Sequence, residues 1–200
     1  CRSLEAGLTG LVTRLVATQN EDGGWSWAQS QRTPLENAQQ DQSDVFVTSQ
    51  AASALAQARA LGISVPPEPL ANAKAFLQNQ FQAAAETDFE RKLAILDAQA
   101  QSGEADFADV NRVYRVRNQL DARGLAVLMQ ILARMERTGT AKELEDALVA
   151  KLKRGEGKAF APASNQELRF GGDEVETTAH ALLALAMVDP ILTRLQSIPG

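Results

Sequence analysis

Two alanine-rich stretches decide the fold of this chain. They are Ser49-Gln50-Ala51-Ala52-Ser53-Ala54-Leu55-Ala56-Gln57-Ala58 and Thr177-Thr178-Ala179-His180-Ala181-Leu182-Leu183-Ala184-Leu185-Ala186. If each stretch is helical, small residues lie nearly all the way around it. A helix that is apolar or small on all sides is usually buried on all sides. We therefore predict that these two helices form an inner layer, with more amphipathic helices outside them.

The rest of the chain favours ordinary amphipathic helices, with apolar residues at 3–4 spacing. Thr87 with Glu90, and Thr140 with Glu143, have the spacing of capping boxes. No strand pattern competes, and the last ten residues favour the start of a further helix. The eight predicted helices begin near residues 4, 44, 66, 87, 106, 121, 140 and 173. The sequence therefore predicts an all-α fold, with helical hairpins in two concentric layers that form part of an α/α toroid.

Composition excludes several classes of protein. The chain has 200 residues and a formal net charge of −5, without a basic patch, which argues against nucleic acid as a partner. The longest apolar run, Ala181 to Val188, is too short to span a bilayer. The only cysteine, Cys1, cannot form an internal disulfide or a cysteine-rich metal site. Its position at the first residue favours a piece cut from a longer protein over a lipid-anchored N-terminus.

One polar loop carries a distinctive motif, Gln19-Asn20-Glu21-Asp22-Gly23-Gly24-Trp25-Ser26-Trp27. The glycine pair allows a tight turn, and the polar side chains of Gln19 and Asp22 can bond exposed backbone at helix ends. We interpret these contributions as structural. Residues 19–25 resemble the Gln-x-x-Asp-Gly-Gly-Trp element of the terpene cyclase and prenyltransferase repeats. The same element occurs in the thioester domain of the alpha-2-macroglobulin and complement family, which shares the toroid.

The order of further segments favours one branch of this superfamily. Residues 44–65 are similar to a helix and the following turn of bacterial alpha-2-macroglobulin thioester domains. Residues 69–77 resemble their next outer helix, and residues 175–185 resemble a late inner helix. The resemblance implies a single toroid fragment, residues 1–200, in a larger secreted or periplasmic protein that traps proteases without being an enzyme. Its partners would be the other domains of that protein and the target proteases. Cys1-Arg2-Ser3-Leu4-Glu5 does not match the reactive Cys-(Gly or Leu)-Glu-Gln motif, so no thioester residue is assigned.

Enzymatic relatives of the superfamily fit less well. Asp173 and its neighbours are similar to the acid motif of squalene–hopene-type cyclases, but the proton-donating aspartate falls on Thr177, which cannot protonate an alkene. Few aromatic residues are present to line a carbocation cavity. The zinc site of protein prenyltransferases requires a cysteine, and none lies near Asp173 or His180. A terpene cyclase fragment remains the main alternative, and a carbohydrate-active toroid is another.

Four residues remain candidates for surface or interaction roles, and no catalytic residue, cofactor or metal ligand is predicted. His180, the only histidine, favours packing over proton transfer or metal binding. Asp41 and Asp44, with Glu36 nearby, form a carboxylate group that could bind a cation, although a solvated loop ending in a helix cap is the commoner arrangement. Trp27 is the better candidate for exposure and sugar stacking, whereas Trp25 is expected to pack beneath the loop.

Overall fold

A computed structural model describes residues 2–27, 43–155, 158–163 and 173–189. Cys1, Glu36, Asp41 and the helix predicted after Pro190 lie outside these ranges. The chain divides into two compact units, Cys1–Glu104 and Ala105–Gly200, each of which is described by itself. The fold is all-α, as the sequence predicts. No helix in the described ranges has both the length and the apolar character needed to cross a membrane.

The first unit contains four helices in its described part, and their bounds follow the predicted ones closely. They are α1 (Arg2–Ala17), α2 (Val45–Ala60), α3 (Pro67–Ala83) and α4 (Phe89–Gln101). Helix α2 ends because Gly62 adopts a φ of +82°, a left-handed conformation that suits a glycine after a helix end. Helix α3 then begins at Pro67, where the missing backbone N–H costs no helical hydrogen bond.

Helices α3 and α4 run antiparallel, because contacts between them progress in opposite directions along the two segments. The paired residues are Lys74 with Glu104 (3.4 Å), Gln78 with Gln99 (3.2 Å) and Phe81 with Lys92, whose ammonium lies 6.0 Å from the ring centroid. Helix α2 packs against both of them. Most of its length is buried, and Gln50, Ala54 and Gln57 form one exposed stripe. The sequence predicted burial on all sides of α2, which this exposed stripe contradicts, and the place of α2 in an inner layer stays a prediction.

The second unit contains five α-helices, one short 3₁₀ helix and two short strands within its described residues. The α-helices are α5 (Phe107–Arg115), α6 (Ala122–Arg134), α7 (Thr138–Lys142), α8 (Glu145–Lys151) and α9 (Glu174–Val188). The strands β1 (Lys153–Gly155) and β2 (Lys158–Phe160) form an antiparallel hairpin in which Arg154 is paired with Ala159. The sequence did not predict this hairpin, because three-residue strands are too short to show an alternating pattern.

Both predicted capping boxes are wrong. Helix α4 is capped by Asp88 rather than Thr87, because the Asp88 carboxylate accepts a hydrogen bond from the backbone N–H of Arg91 at 3.2 Å. Thr140 lies inside α7 and caps nothing. The single helix predicted from residue 140 is two helices, because Leu144 N bonds the carbonyl three residues back, on Ala141. This hydrogen bond spans three residues, whereas an α-helical bond spans four, so it tightens the turn and separates α7 from α8.

Helix α6 is the enclosed helix of the second unit. Every residue from Gly124 to Leu132 is buried. Because no charged residue lies between Arg123 and Arg134, burying this stretch removes no charge from water. Helix α9 was predicted to be buried on all sides, and this prediction is wrong for the chain as described. Its neighbours α6, α7 and β2 cover the side that carries Thr177, Ala181, Ala184 and Val188, and its other side is open.

Candidate functional site

The motif loop, residues 19–27, follows α1, contacts the start of α2 and is anchored by Trp25. The Trp25 side chain is only 3% exposed. Its indole N–H donates a hydrogen bond of 2.8 Å to the carbonyl of Leu15, which lies in the last turn of α1. The backbone N–H of Trp25 donates to the hydroxyl of Thr48 in α2 at 2.9 Å, and its carbonyl accepts from Asp44 N at 2.8 Å. One residue therefore holds the end of α1 against the beginning of α2.

Asp22 and Ser43 stabilise the motif loop through side-chain hydrogen bonds. One carboxylate oxygen of Asp22 accepts a hydrogen bond from Gly24 N at 3.0 Å and another from the Ser43 hydroxyl at 2.6 Å. The Ser43 hydroxyl in turn accepts from the side-chain amide of Asn20 at 2.9 Å. Asp22 therefore stabilises the turn, and its carboxylate is engaged by donors from within the chain.

Gln19 attaches the motif loop to α3. Its side-chain amide donates two hydrogen bonds of 2.8 Å, to the carbonyl of Gly23 within the loop and to the carbonyl of Pro69 in the first turn of α3. An amide nitrogen carries two hydrogens, so this arrangement uses both of them. The sequence predicted that Gln19 or Asp22 bonds exposed backbone at helix ends. In this structure Gln19 reaches a carbonyl in the first turn of α3, whereas Asp22 accepts from Gly24 N inside the loop.

The two glycines of the loop are required by space. A Cβ added to Gly23 would lie 2.6 Å from the carbonyl oxygen of Asn72, and the residue has a φ of +87°. A Cβ added to Gly24 would lie 2.4 Å from the Cβ of Ser43. Both distances are far below van der Waals contact. The loop can therefore pack against α3 and against Ser43, just before α2, only with glycine at these positions.

Two further candidate residues lie in this region: the helix cap Asp44 and the exposed aromatic residue Trp27. Asp44 is the N-cap of α2, and one of its carboxylate oxygens accepts from Phe46 N at 2.8 Å and Val47 N at 3.0 Å. Its proposed partner Asp41 lies outside the described residues. The Trp27 side chain is 60% exposed. The motif loop therefore combines one buried and one exposed indole, two residues apart.

A second group of polar residues lies between α6 and α9, and we call it the α6–α9 polar cluster: Arg123, Gln130, Glu176 and His180. Arg123 pairs with Glu176 at 3.2 Å, and Nε2 of His180 lies 3.7 Å from the same carboxylate oxygen. Because residue 123 pairs with 176 and residue 130 pairs with 180, the two helices run in the same direction. His180, whose side chain is 27% exposed, thus lies at the contact between α6 and α9.

Gln130 determines which nitrogen of His180 carries the proton. Its side chain is 2% exposed, and its amide nitrogen lies 3.0 Å from the His180 carbonyl oxygen and 3.1 Å from His180 Nδ1. A carbonyl oxygen can only accept, so the NH₂ group of Gln130 must face it. The same NH₂ group then meets Nδ1, which must accept as well. His180 therefore carries its proton on Nε2, the nitrogen that faces Glu176.

The region similar to the cyclase acid motif has a structural role at the start of α9. Asp173 is the N-cap of the helix and accepts a hydrogen bond from Glu176 N at 2.8 Å. Thr177, which occupies the position of the proton-donating aspartate, is completely buried. Among the described residues, no three histidine, cysteine, aspartate or glutamate side chains are placed to hold a metal ion.

The hydroxyl of Tyr114 in α5 has a pKa above its ordinary value. It donates a hydrogen bond of 2.5 Å to Glu143, and this bond raises the pKa of the phenol above its ordinary value of 10.0. Burial raises the pKa further, whereas the charge of Arg117, whose guanidinium stacks 4.4 Å from the ring centroid, lowers it. The bond ties α5 to the segment between α7 and α8.

Sequence reasoning missed the residues that organise these sites through long-range contacts. Thr48 and Ser43 lie 23 and 21 residues from their partners Trp25 and Asp22, and Gln130 lies 50 residues from His180. A signal existed for Gln130, since it is a polar residue in the middle of an otherwise apolar stretch. Such a residue is usually hydrogen-bonded when it is buried.

Comparison with known proteins identifies the fold. No family model and no curated protein matches this chain. Solved structures do match it, among them native Escherichia coli alpha-2-macroglobulin from domain MG7 to the C-terminus, with a TM-score of 0.66 and 14% identity over 96% of this chain. Salmonella alpha-2-macroglobulin reacted with methylamine (TM-score 0.63, 16% identity, 94% of this chain) and trypsin-activated E. coli alpha-2-macroglobulin (0.63, 15%, 92%) match similarly.

The chain is much shorter than these proteins. It spans 31% of the E. coli structure that begins at domain MG7, and 13% of each of the other two chains. At identities of 14–16%, the likeness concerns the fold. It agrees with the resemblance that the motif loop and the two alanine-rich helices carry in the sequence. The chain therefore has the fold of a helical segment of the bacterial alpha-2-macroglobulins.

Proposed function

We propose that this chain is a non-catalytic domain of an alpha-2-macroglobulin-like protease trap. The observation that carries the proposal is the fold match over 96% of the chain to E. coli alpha-2-macroglobulin. In this proposal, residues 1–200 form one part of an α/α toroid within a secreted or periplasmic polypeptide. Their partners are the other domains of that polypeptide and the proteases that it encloses.

The chemistry of the two polar sites supports a structural role. In the motif loop, Gln19 and Asp22 bond backbone groups and a neighbouring hydroxyl, and Asp44 caps the start of α2. In the α6–α9 polar cluster, Gln130 occupies Nδ1 of His180, which removes that nitrogen as a general base. These groups stabilise the packing of helices. A domain that transmits or withstands a change of shape requires such packing.

The terpene cyclase alternative gains little support. That function needs a proton-donating acid and a cavity walled by aromatic rings. Thr177 stands in place of the acid and is buried. The buried aromatic side chains among the described residues are Trp25, Phe76 and Phe81, which belong to the motif loop and α3.

A carbohydrate-binding function is the second candidate because the indole of Trp27 is 60% exposed. An exposed indole offers an apolar face on which a sugar ring can stack. Titration of the chain with neutral and acidic oligosaccharides tests this candidate by isothermal calorimetry, with Trp27→Ala as the matched control. Saturable binding that Trp27→Ala abolishes would support it, and the absence of any change would exclude it.

Protease capture by the complete polypeptide tests the proposed function. The polypeptide is incubated with active trypsin or with trypsin whose active site is covalently blocked, and the mixtures are separated by size. We expect active trypsin to co-elute with the polypeptide after cleaving it, and blocked trypsin to elute alone. Equal behaviour of the two trypsins, or co-elution of neither, would contradict the proposal.

A second measurement distinguishes a covalent trap from a steric one. Methylamine opens an internal thioester and becomes attached to its glutamine. Mass analysis of the methylamine-treated complete polypeptide therefore reports whether such a bond is present upstream of this chain. Incorporation at one glutamine would identify a covalent trap, whereas no incorporation would leave steric enclosure as the mechanism.

A further inference from the structure

The connection from α8 to β1 concentrates basic side chains at the surface. Lys151 ends α8, and Lys153 and Arg154 follow in β1. All three residues are exposed, and none of them pairs with a carboxylate among the described residues. Leu152, between the first two, is half-buried. The segment therefore presents unneutralised positive charge next to a residue that attaches it to the second unit.

Backbone conformation separates Lys153 and Arg154 from most other basic residues. Every described lysine and arginine lies in a helix except Arg137, Lys153, Arg154 and Lys158. A protease binds its substrate as an extended strand, so a helical segment must unfold before it can be cleaved. Residues Lys153–Gly155 already have the extended conformation that such binding requires.

Arg137 is held in a tight connection between α6 and α7. Its backbone N–H donates a hydrogen bond of 2.8 Å to the carbonyl of Leu132, and its guanidinium lies 4.7 Å from the centroid of the Phe107 ring. Helix α7 begins at the next residue, Thr138. The peptide bond after Arg137 therefore leads directly into a helix and is a poor substrate.

Strand β1 is the more weakly held strand of its hairpin. Strand β2, which contains Lys158, pairs with β1 and also contacts α9. Just after β2, the backbone N–H of Ala161 donates to the hydroxyl of Thr178 in α9 at 3.0 Å. Among the described residues β1 pairs only with β2, so its other edge offers unpaired backbone groups. Because an isolated two-stranded hairpin is marginally stable, β1 can open locally while the helices stay folded.

We propose that β1 is a recognition and cleavage strand for serine proteases of the trypsin class, whose specificity pocket carries a carboxylate. The charge of Arg154 pairs with that carboxylate, and the open edge of β1 pairs with the backbone of the protease. Hydrolysis then breaks the C–N bond between Arg154 and Gly155. Water supplies the hydroxyl of the new carboxyl group on Arg154 and the proton of the new amino group on Gly155.

Cleavage in β1 should leave the second unit assembled. The cut separates α6 from α9 along the chain, but the contacts between the two helices do not depend on β1. Arg123 pairs with Glu176 at 3.2 Å, and Gln130 donates to the carbonyl of His180 at 3.0 Å. The fragments 1–154 and 155–200 should therefore stay together. This proposal stands whether or not the complete polypeptide captures proteases, because it rests on the accessibility of β1 within this chain.

Limited digestion of the full 200-residue chain with trypsin tests the proposal. Mass analysis of the products over time gives the initial rate of cleavage after each described lysine and arginine. The adjacent pair Arg91 and Lys92 is the matched control, because it offers the same residue types within helix α4. We expect cleavage after Lys153 or Arg154 to be at least about tenfold faster than cleavage after the control pair. Size-exclusion chromatography should then elute the two fragments together, and urea should separate them.

Three outcomes would overturn the proposal. Cleavage in β1 no faster than cleavage after Arg91 and Lys92 would mean that β1 opens only when the helices unfold. Cleavage after Arg137 as fast as cleavage in β1 would mean that an extended backbone does not select the site. Fragments that separate without urea would mean that the cut destroys the packing of α6 against α9. Circular dichroism of the cleaved chain should show the helix content of the intact chain, and its loss would also contradict the proposal.

Discussion

The side-chain amide of Gln130 donates to both the carbonyl oxygen and Nδ1 of His180, at 3.0 Å and 3.1 Å. One buried residue of α6 thereby satisfies two acceptors on α9 and fixes the proton of the only histidine on Nε2. Buried polar groups that are fully hydrogen-bonded specify one arrangement of neighbouring helices, because any shift leaves a partner unsatisfied. This contact, together with apolar packing, therefore fixes the position of α6 along α9.

Changing Gln130 to Glu should destabilise the chain strongly. The carboxylate has the same size as the amide, but it places an acceptor against two acceptors in a buried position. We expect the free energy of unfolding to fall by more than about 2 kcal/mol. Urea denaturation of the variant measures the change, with the exposed Gln119→Glu as the control, which should lie within about 0.5 kcal/mol of the unchanged chain. Equal stability of the two variants would contradict the described hydrogen bonds.

Alanine at Gly23 should cost more than alanine at Gly103. Both glycines have positive φ, +87° and +75°, so both substitutions carry a similar cost in backbone conformation. Only at Gly23 would the new Cβ meet another atom, at 2.6 Å from the Asn72 carbonyl oxygen. We expect an additional loss of about 1–3 kcal/mol for Gly23→Ala, measured by urea denaturation of both variants. If the two losses match, the motif loop does not pack against α3 as described.

The outcome at individual residues shows what local sequence patterns can predict. Asp44, Asp106, Asp121 and Asp173 each cap the helix that was expected to start beside them, because a cap depends only on the next three residues. The same local logic failed at Thr87, where Asp88 stands one residue closer to the helix and takes its place. Helix positions were thus predictable to within a few residues.

Burial proved harder to predict than helix position. Alanine content indicated that α9 would be fully enclosed, whereas the described structure encloses α6. Composition tells which helices can be buried, and the neighbours that bury them come from distant parts of the chain. The pairing of Gln130 with His180 could not be predicted for the same reason, since the two residues are 50 residues apart and share no pattern.

The two tryptophans should differ in fluorescence. Trp25 is 3% exposed and Trp27 is 60% exposed, and the chain contains no other tryptophan. The variant Trp27→Phe should therefore emit at shorter wavelength than the unchanged chain and resist quenching by iodide. The variant Trp25→Phe should emit at longer wavelength and be quenched readily. Strong quenching of Trp27→Phe would place Trp25 in solvent and contradict the anchoring role of its indole.

The single tyrosine should titrate above its ordinary pKa of 10.0, chiefly because Tyr114 donates a hydrogen bond to Glu143. Since the pKa is raised in the folded state, the bond contributes stability that is fully present below pH 10 and is lost as the pH rises through the folded-state pKa. Ultraviolet absorbance of the phenolate follows the titration, and Glu143→Gln should lower the measured pKa. An unchanged titration in that variant would exclude the Tyr114–Glu143 bond.

The most direct test of the central claim compares two activities of trypsin after it has reacted with the complete polypeptide. A protease enclosed by a trap still cleaves a small chromogenic peptide, which diffuses into the enclosure, but it cannot reach a large folded protein. The account predicts that activity on the peptide is largely retained while activity on the protein substrate is lost. Equal retention of both activities, or equal loss of both, would contradict the assignment of this chain to a protease trap.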